Sequence, residues 1–267
     1  MKFTLLLLCF FAQLLAFAQN KLQNAVFTEC ATAELPYKCT NDILQNNVFD
    51  LISEDVINTL PEASKPYFSI SALFITDANG NVIKEHTQIR TPSYLLTKRI
   101  QNYINNLPAF TPKDSSIKES RSVHFINATL LRNDISKQYY VAENIDLKER
   151  KIKPEYIVPD EASLYPGCKK SGTYTDDFNC THKKVYDFIM KNYRIPEVDS
   201  PRQIRMIVNF YIDTTGKIQV DNIEGEEDGF KKGIRNAMNK LPQLTPTMIK
   251  GIPVTVFYKL PITLNLK

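Results

Sequence analysis

Four cysteines outside the N-terminal segment and three histidines are the residues of this 267-residue chain whose types most often carry covalent or metal chemistry. Two of these cysteines lie near the start of each half of the chain. In an oxidising compartment an even set of cysteines is typical of disulfides and argues against a nucleophilic thiolate. Four cysteines allow three connectivities, and proximity favours Cys30 with Cys39 and Cys168 with Cys180, each pair contributing on the order of 3 kcal/mol.

The histidines and acidic residues do not have the spacing of a metal site. His86, His124 and His182 never fall at a ligand spacing such as i, i+4, and each is expected to be a surface residue. The stretch from Asp77 to Asn81 resembles a calcium loop, but its glycine is the fourth residue instead of the sixth and the closing Glu is missing. A hairpin turn explains this stretch better, and no metal site is expected.

Motifs of the common enzyme classes are missing from the sequence too. The chain has no G-x-S-x-G, no glycine-rich phosphate loop and only 8 glycines. It has 33 basic and 29 acidic residues, a net charge of +4, and no basic block with interleaved aromatic residues. We therefore expect no catalytic residue, no cofactor, no small-molecule substrate and no nucleic-acid partner, and hence a protein that is not an enzyme.

Segment 1–18 is typical of a secretory signal peptide. It has Lys2, an apolar run that ends at Phe17, and small residues at Ala16 and Ala18, which together predict cleavage after Ala18. The alternative is a retained anchor, but the apolar run is short against the roughly 20 residues that span a bilayer. The expected location is periplasmic or exported, with an inner-membrane anchor if the segment stays uncleaved.

The two halves of the chain repeat one another. LPAFTP begins at Leu107, LPQLTP begins at Leu241, and flanking motifs match in the same order. Chance would explain one shared hexamer but not a series of landmarks in one order, so we predict two copies of one unit. The other matching motifs are Cys39-Thr40 with Cys180-Thr181, VFDLI at Val48 with VYDFI at Val185, FITDANGNV at Phe74 with FYIDTTGKI at Phe210, and Thr129-Leu130 with Thr263-Leu264.

Hydrophobic periodicity predicts the elements of the second copy. A first helix starts with Thr181 as its N-cap and is followed by a β-hairpin that turns at Gly216. A second helix from Asp228 to Lys240 is stopped by Pro242, and a last strand follows Pro246. This order of helix, strand, strand, helix and strand predicts an α+β fold with an antiparallel sheet.

The first copy follows the same order with a more polar final segment. The predicted boundaries are a signal peptide over 1–18, a first domain over 19–134, a linker over 135–160 and a second domain over 161–267. The segment between the copies is charged and lacks clear periodicity, which makes it a linker or a strap across one domain. The first-copy strands are marked by Ile70, Ala72, Phe74 and Val82, and its helix face by Leu96, Ile100, Tyr103 and Ile104.

A series of motifs in the second half occurs in a characteristic order. They are Tyr165-Pro166-Gly167-Cys168, FIMKNYRIP, VNFYIDTTGKI, AMNKLPQLTP and Gly251-Ile252-Pro253-Val254. With these motifs the stretch from Glu161 to Lys267 resembles the TonB C-terminal domain family, and the first half resembles a diverged copy. The resemblance implies two tandem TonB C-terminal-like domains, each helix-strand-strand-helix-strand with an antiparallel sheet.

The resemblance also implies a non-enzymatic module that binds a short extended peptide of an outer-membrane transporter beside the last strand of its sheet. An edge strand offers unpaired N–H and C=O groups, and alternate side chains select the partner. In this chain the predicted partner-binding edge is Val254, Val256, Tyr258 and Lys259, with the last two as specificity contacts. Plain core packing of Val254, Val256 and Leu260 is the alternative.

Two functions follow as hypotheses. The first is an exported TonB-like module that contacts an outer-membrane receptor or another envelope protein and is linked to transmembrane transport. The second is a structural envelope protein that uses tandem TonB-like domains for protein or cell-wall contacts without a transport role. An energy-transducing family member needs an uncleaved membrane helix and a Pro-rich spacer, so binding without force is the expected role here. No oligomeric state is predicted.

Overall fold

The computed structural model of the protein describes residues 25–60, 66–111, 121–194, 201–225 and 228–266. These residues form an α+β fold with antiparallel sheets, which confirms the predicted class. The predicted signal peptide lies outside the described residues, and within them no helix combines the length and apolarity that a membrane crossing needs. The helices are α1 (Pro36–Phe49), α2 (Glu54–Ile57), α3 (Tyr94–Asn105), α4 (Asn144–Glu149), α5 (Tyr174–Asn192) and α6 (Asp228–Met238). The strands are β1 (Tyr67–Thr76), β2 (Val82–Arg90), β3 (Ser122–Arg132), β4 (Tyr139–Val141), β5 (Arg202–Ile212), β6 (Ile218–Gly225), β7 (Thr247–Ile249), β8 (Ile252–Val254) and β9 (Val256–Leu266).

The first copy forms a four-stranded sheet in the order β2-β1-β3-β4. β1 pairs with β3 over its whole length, from Tyr67 opposite Leu131 to Thr76 opposite Ser122. One face of this sheet is covered by α1 and α3, because each helix carries an apolar stripe at helical spacing. The stripe residues are Leu44 and Val48 on α1, and Leu96, Ile100 and Ile104 on α3, all fully or almost fully buried.

The second copy forms a three-stranded sheet in the order β6-β5-β9, and β7 and β8 form a separate hairpin that the sequence patterns did not predict. β9 pairs with β5 without a register shift, from Val256 opposite Ile212 to Leu266 opposite Arg202. Helices α5 and α6 cover one face of this sheet. Their buried core residues are Val185 and Ile189 on α5, and Phe230, Ile234, Ala237 and Met238 on α6.

Both copies close at the same corner, where the repeated hexamer contacts the turn of the hairpin. The N–H of Phe110 donates to the carbonyl oxygen of Gly80 at 2.8 Å, and the N–H of Leu244 donates to that of Gly216 at 2.9 Å. The glycines have φ of +82° and +85°, and a Cβ on either would lie 1.8 Å from the carbonyl oxygen of its hexamer residue. Each turn therefore requires glycine for two reasons, because the backbone has a positive φ and because no space is left for a Cβ.

The predicted start of the second copy's first helix is wrong. Helix α5 begins at Tyr174, and the hydroxyl of Thr173 caps it by accepting the N–H of Asp176 at 3.2 Å. Thr181, the predicted N-cap, lies inside the helix and is buried. The threonine that both copies carry after the cysteine therefore has a role other than capping.

The buried hydroxyl of Thr181 instead binds the segment that precedes the helix. It accepts the N–H of Tyr165 at 3.0 Å and donates to the carbonyl oxygen of Ser163 at 2.7 Å. In the first copy, the equivalent Thr40 accepts the N–H of Phe27 at 3.0 Å. In each copy the Cys-Thr motif thus fixes the preceding segment to the first helix, the cysteine through a disulfide and the threonine through a hydrogen bond.

Segment 135–160 between the copies runs across the first sheet. It contains β4, which pairs with the end of β3, and the short helix α4. Further along, the N–H of Ile157 donates to the hydroxyl of Ser71 on β1 at 2.9 Å, and the Ile157 side chain is buried. The irregular sequence pattern of this segment reflects a strap whose residues contact the sheet one at a time.

The two copies pack against each other through a third apolar cluster. It lies between the uncovered face of the first sheet and the start of the last strand of the second copy. Its members come from the two copies and from the strap between them. They are Leu73, Ile75, Val123, Ile157, Ile249, Val254 and Val256, all buried.

Candidate functional site

The cysteines form the two predicted disulfides, Cys30 with Cys39 and Cys168 with Cys180. The Cα atoms lie 5.6 Å apart in the first pair and 6.1 Å apart in the second. Each bond joins the segment before the first helix of a copy to that helix, which is α1 in one case and α5 in the other. The bonded cysteines therefore have a structural role and supply no thiolate.

The prediction that all three histidines are surface residues is wrong for His124. This side chain lies on β3 and is 1% exposed, stacked on Phe74 with ring centroids 4.9 Å apart and packed on Phe110 at 4.5 Å. Its Nε2 lies 3.2 Å from the hydroxyl oxygen of Thr76. Burial lowers the pKa of the His124 imidazole to about 3, so the ring is neutral at pH 7. Within the described ranges, no group of three or more His, Cys, Asp or Glu residues is placed to hold a metal ion.

The four residues of the predicted partner-binding edge have different surroundings. Val254 and Val256 are buried in the cluster between the two copies. Tyr258 is half-buried, stacked on Phe210 with ring centroids 5.6 Å apart, and Lys259 is exposed. Neither valine is open to a partner, because the copies enclose both side chains, Val256 pairs with Ile212 of β5, and Val254 pairs with Thr247 of β7. Binding of a partner along this strand stays a prediction.

The main chain at the start of this edge is already paired with the first copy. Thr255 donates its N–H to the carbonyl oxygen of Arg121 at 2.8 Å and accepts the N–H of Val123 at 3.3 Å, a single parallel rung between β3 and the chain entering β9. No further main-chain hydrogen bond joins β3 to β9 among the described residues. The two strands therefore separate after this rung.

The direction of the remaining main-chain groups follows from strand geometry. N–H and C=O groups point alternately to the two sides of a strand, so Phe257 and Lys259 point theirs to the same side as Thr255. The next residue with this direction is Pro261, which has no N–H to lose, as expected for the open side of an edge strand. Tyr258 has the opposite direction, and its N–H and C=O face β5.

A cleft of about 350 Å³ lies between the separated strands, which is within the range of small binding pockets. One wall is helix α1, which presents Tyr37, Asn41 and Gln45 at i, i+4 spacing. The other walls are Phe125 and Asn127 of β3, and Phe257 and Lys259 of β9. Both copies thus contribute to one cleft.

The end of the cleft near α1 is aromatic. The rings of Tyr37 and Phe257 have centroids 4.5 Å apart, and Tyr211 on β5 lies 5.2 Å from Phe257 and 6.4 Å from Tyr37. Burial raises the pKa of the Tyr37 and Tyr211 phenols, so both remain neutral through the physiological range. These contacts place the first turn of α1 on the face of the second sheet that its own helices leave uncovered.

The charged residues that line the cleft are Lys38 and Asp42 on α1 and Lys259 on β9. Lys38 forms an ion pair with Asp42 at 2.6 Å on α1, and the hydrogen bond that its Nζ donates to this carboxylate is the main reason that the pKa of Lys38 is raised. Lys259 has no ion pair within the described residues, and its Nζ lies 6.0 Å from the centroid of the Phe257 ring. One positive charge is therefore available to a ligand.

A second cavity of about 670 Å³ continues the cleft along β3. Gln45 and Asn127 line both cavities, and the Nε2 of Gln45 donates to the carbonyl oxygen of Asn127 at 3.4 Å. Farther along, the carbonyl oxygen of Thr129 accepts the N–H of Ala142 at 2.8 Å, where β4 begins to cover the edge. The open part of the β3 edge therefore runs from Phe125 to Asn127.

Of the four residues of the predicted edge, Lys259 lines the cleft, and the first-copy side of the cleft was not predicted. The polar stripe at Tyr37, Asn41 and Gln45 is visible at helical spacing, but its proximity to β9 depends on packing between distant parts of the chain. A stripe of this kind is ordinarily a solvated helix face. The local sequence does not distinguish this stripe from an ordinary solvated helix face.

Fold and cleft together define a disulfide-bonded α+β protein of two packed copies that both line one cleft. No family model, curated protein or solved structure matches this chain.

Proposed function

We propose that this protein is an exported TonB-like protein-binding module of the cell envelope. It contacts outer-membrane transporters by strand addition and takes part in transmembrane transport through binding, without transmitting force. The proposal is supported by the ordered TonB-like motifs of the second half and by the two disulfides, which suit an oxidising compartment.

The open edge of β9 is the observation that carries this proposal. β5 pairs with one side of the strand along its whole length, and among the described residues the main chain of the first copy hydrogen-bonds to the other side only at Thr255. At Phe257 and Lys259, the outward N–H and C=O groups lie beside the cleft that these two residues line. An extended peptide pairs with such groups through its own main chain, while neighbouring side chains select among sequences.

The structure identifies which substitution tests strand addition. Tyr258→Pro would remove an N–H that faces β5 and would damage the sheet itself. Lys259→Pro removes an outward N–H at an exposed position, two residues before the natural Pro261. Lys259→Ala removes the same side chain and keeps the N–H, so it is the matched control.

The experiment titrates the full mature chain with synthetic N-terminal segments of outer-membrane transporters and measures affinity by fluorescence anisotropy. We expect the unmodified chain and Lys259→Ala to bind at least one of these segments. Lys259→Pro should bind the same segment at least tenfold more weakly, because at least one hydrogen bond between uncharged main-chain groups is lost. Equal affinity of the two variants would contradict strand addition at β9. A folded chain that binds no segment at high concentration would favour the structural envelope role.

A further inference from the structure

The edges of two strands from different copies open into the same cleft. β3 and β9 run parallel where Thr255 joins them, and their outward main-chain groups continue at Phe125 and Asn127 on one side and at Phe257 and Lys259 on the other. A partner that pairs with β9 at Phe257 therefore enters a space bounded by the edge of β3.

The wall formed by α1 limits the size of the segment that fits. From Tyr37 to Gln45 the helix rises about 12 Å, which an extended chain spans with about four residues. Aromatic rings lie at one end of this wall and amide side chains at the other, with Lys259 on the opposite side. These features suit a short segment with one apolar and one acidic side chain.

We propose that the cleft binds a short extended peptide between β3 and β9, so that both copies contact the same segment. An apolar or aromatic side chain of this peptide packs on Tyr37 and Phe257, and a carboxylate side chain pairs with Lys259. This inference rests on the proposed function and adds that the first copy is part of the binding site and that the preferred peptide is acidic.

A peptide matches the cleft better than a sugar or a small ligand does. Facing strand edges present main-chain donors and acceptors at the regular spacing of a ladder, and an extended main chain is the chemistry that satisfies both rows. The aromatic and amide side chains would also suit a glycan of the cell wall, which makes glycan binding an outcome that the experiment must detect.

The test uses the full mature chain and a displayed library of random eight-residue peptides. We expect enriched peptides to combine an aromatic or large aliphatic residue with Asp or Glu. The first-copy edge is tested with Phe125→Pro, which removes an N–H that faces the cleft, against Phe125→Ala, which keeps it. Synthetic versions of the enriched peptides should bind Phe125→Pro about tenfold more weakly than Phe125→Ala.

The charge preference is tested with Lys259→Glu against Lys183→Glu, an exposed lysine on α5 that does not line the cleft. Only Lys259→Glu should weaken binding of acidic peptides, and added salt should reduce the difference. Near-ultraviolet circular dichroism checks that each variant is folded.

The outcomes separate this inference from the function on which it rests. Binding that Lys259→Pro weakens and Phe125→Pro leaves equal to Phe125→Ala keeps strand addition at β9 and overturns the shared site. Enrichment of basic peptides overturns the charge preference. Failure to bind any peptide, together with binding of cell-wall disaccharide fragments, overturns both the shared peptide site and the proposed function.

Discussion

The last strands of the two copies, β3 and β9, occupy equivalent places, but their outer edges differ in cover. In the first copy, β4 pairs with the end of β3, and Gln45 contacts the carbonyl oxygen of Asn127. In the second copy, no described strand pairs with the outer edge of β9 beyond Thr255. An open edge invites aggregation, and proteins usually cover it. The first copy therefore covers this edge beyond Asn127, and the second copy leaves its edge open beyond Thr255.

The same comparison extends to one side chain in each strand. His124 and Tyr258 are equivalent in the repeat, and each stacks on the equivalent phenylalanine of the preceding strand, Phe74 or Phe210. In the first copy Phe110 of the hexamer also covers the ring, and His124 is completely enclosed. In the second copy the hexamer carries the smaller Leu244, and Tyr258 stays half-buried. The copy with the open edge thus also leaves this ring partly exposed.

The largest expected effect comes from the corner that the copies share. Gly216→Ala should lower the free energy of unfolding by about 3 kcal/mol or more, because it combines a positive φ with a Cβ 1.8 Å from the Leu244 oxygen. Gly80→Ala should cost a similar amount if the two corners are equally rigid. Urea unfolding followed by circular dichroism measures both.

Gly172→Ala is the matched control for these two substitutions. Gly172 has φ of +91° and no atom within 4 Å of an added Cβ, so it carries backbone strain without a clash. The expected cost is about 1–2 kcal/mol. If all three substitutions cost the same, contact between hexamer and hairpin turn does not stabilise the corner.

The corner also shows why so much of the fold was predictable. The prolines of the hexamers and the glycines of the turns restrict or permit particular backbone angles. These effects are local, so they can be predicted from the sequence. Thr181 was misassigned because a hydroxyl that binds a segment sixteen residues away looks the same in sequence as an N-cap. His124 and the Tyr37 contacts depend on packing between distant segments, which no local pattern encodes. Of the residues that line the cleft, motif order therefore pointed only to Lys259.

The second prediction tests the enclosed ring. The pKa of His124 is about 3 in the folded chain against 6.5 for an unperturbed imidazole, so the unfolded state binds the proton more tightly. The stability contribution is complete above pH 6.5 and is lost as the pH falls below it. Between pH 7 and pH 5 the free energy of unfolding should drop by about 2 kcal/mol.

His124→Phe keeps a flat ring at this position and removes the titration. Its free energy of unfolding should depend less on pH between 7 and 5 than that of the unmodified chain, whatever its absolute stability. Urea unfolding at the two pH values gives the difference. Equal pH dependence in both proteins would show that the His124 ring has access to solvent in the folded chain.

The smallest expected effect concerns a helix position at which the copies diverge. Arg99 on α3 donates to the carboxylate of Asp55 and to the carbonyl oxygen of Leu51. These two contacts fix α2 to α3. The equivalent position on α6 is Gly233, where an added Cβ would lie 2.5 Å from the ring of Tyr193. The first copy thus uses a charged contact to hold an extra helix, whereas the second uses the absence of a side chain to admit a ring.

Arg99→Ala should lower the urea midpoint only slightly at pH 7, because the Arg99 and Asp55 side chains are 32% and 57% exposed. The hydrogen bond from Arg99 is the main reason that the pKa of Asp55 is lowered from 3.8 to about 2. A lowered carboxyl pKa stabilises the fold above pH 3.8, and the contribution is lost as the pH falls through 2. The difference in midpoint between Arg99→Ala and the unmodified chain should therefore shrink from pH 4 to pH 2.

Lys98→Ala, which removes a cation 4.7 Å from the Tyr94 ring instead of one beside a carboxylate, should show no such change. A constant difference for Arg99→Ala would mean that its bond to the Leu51 carbonyl, and not the ion pair, holds α2 in place.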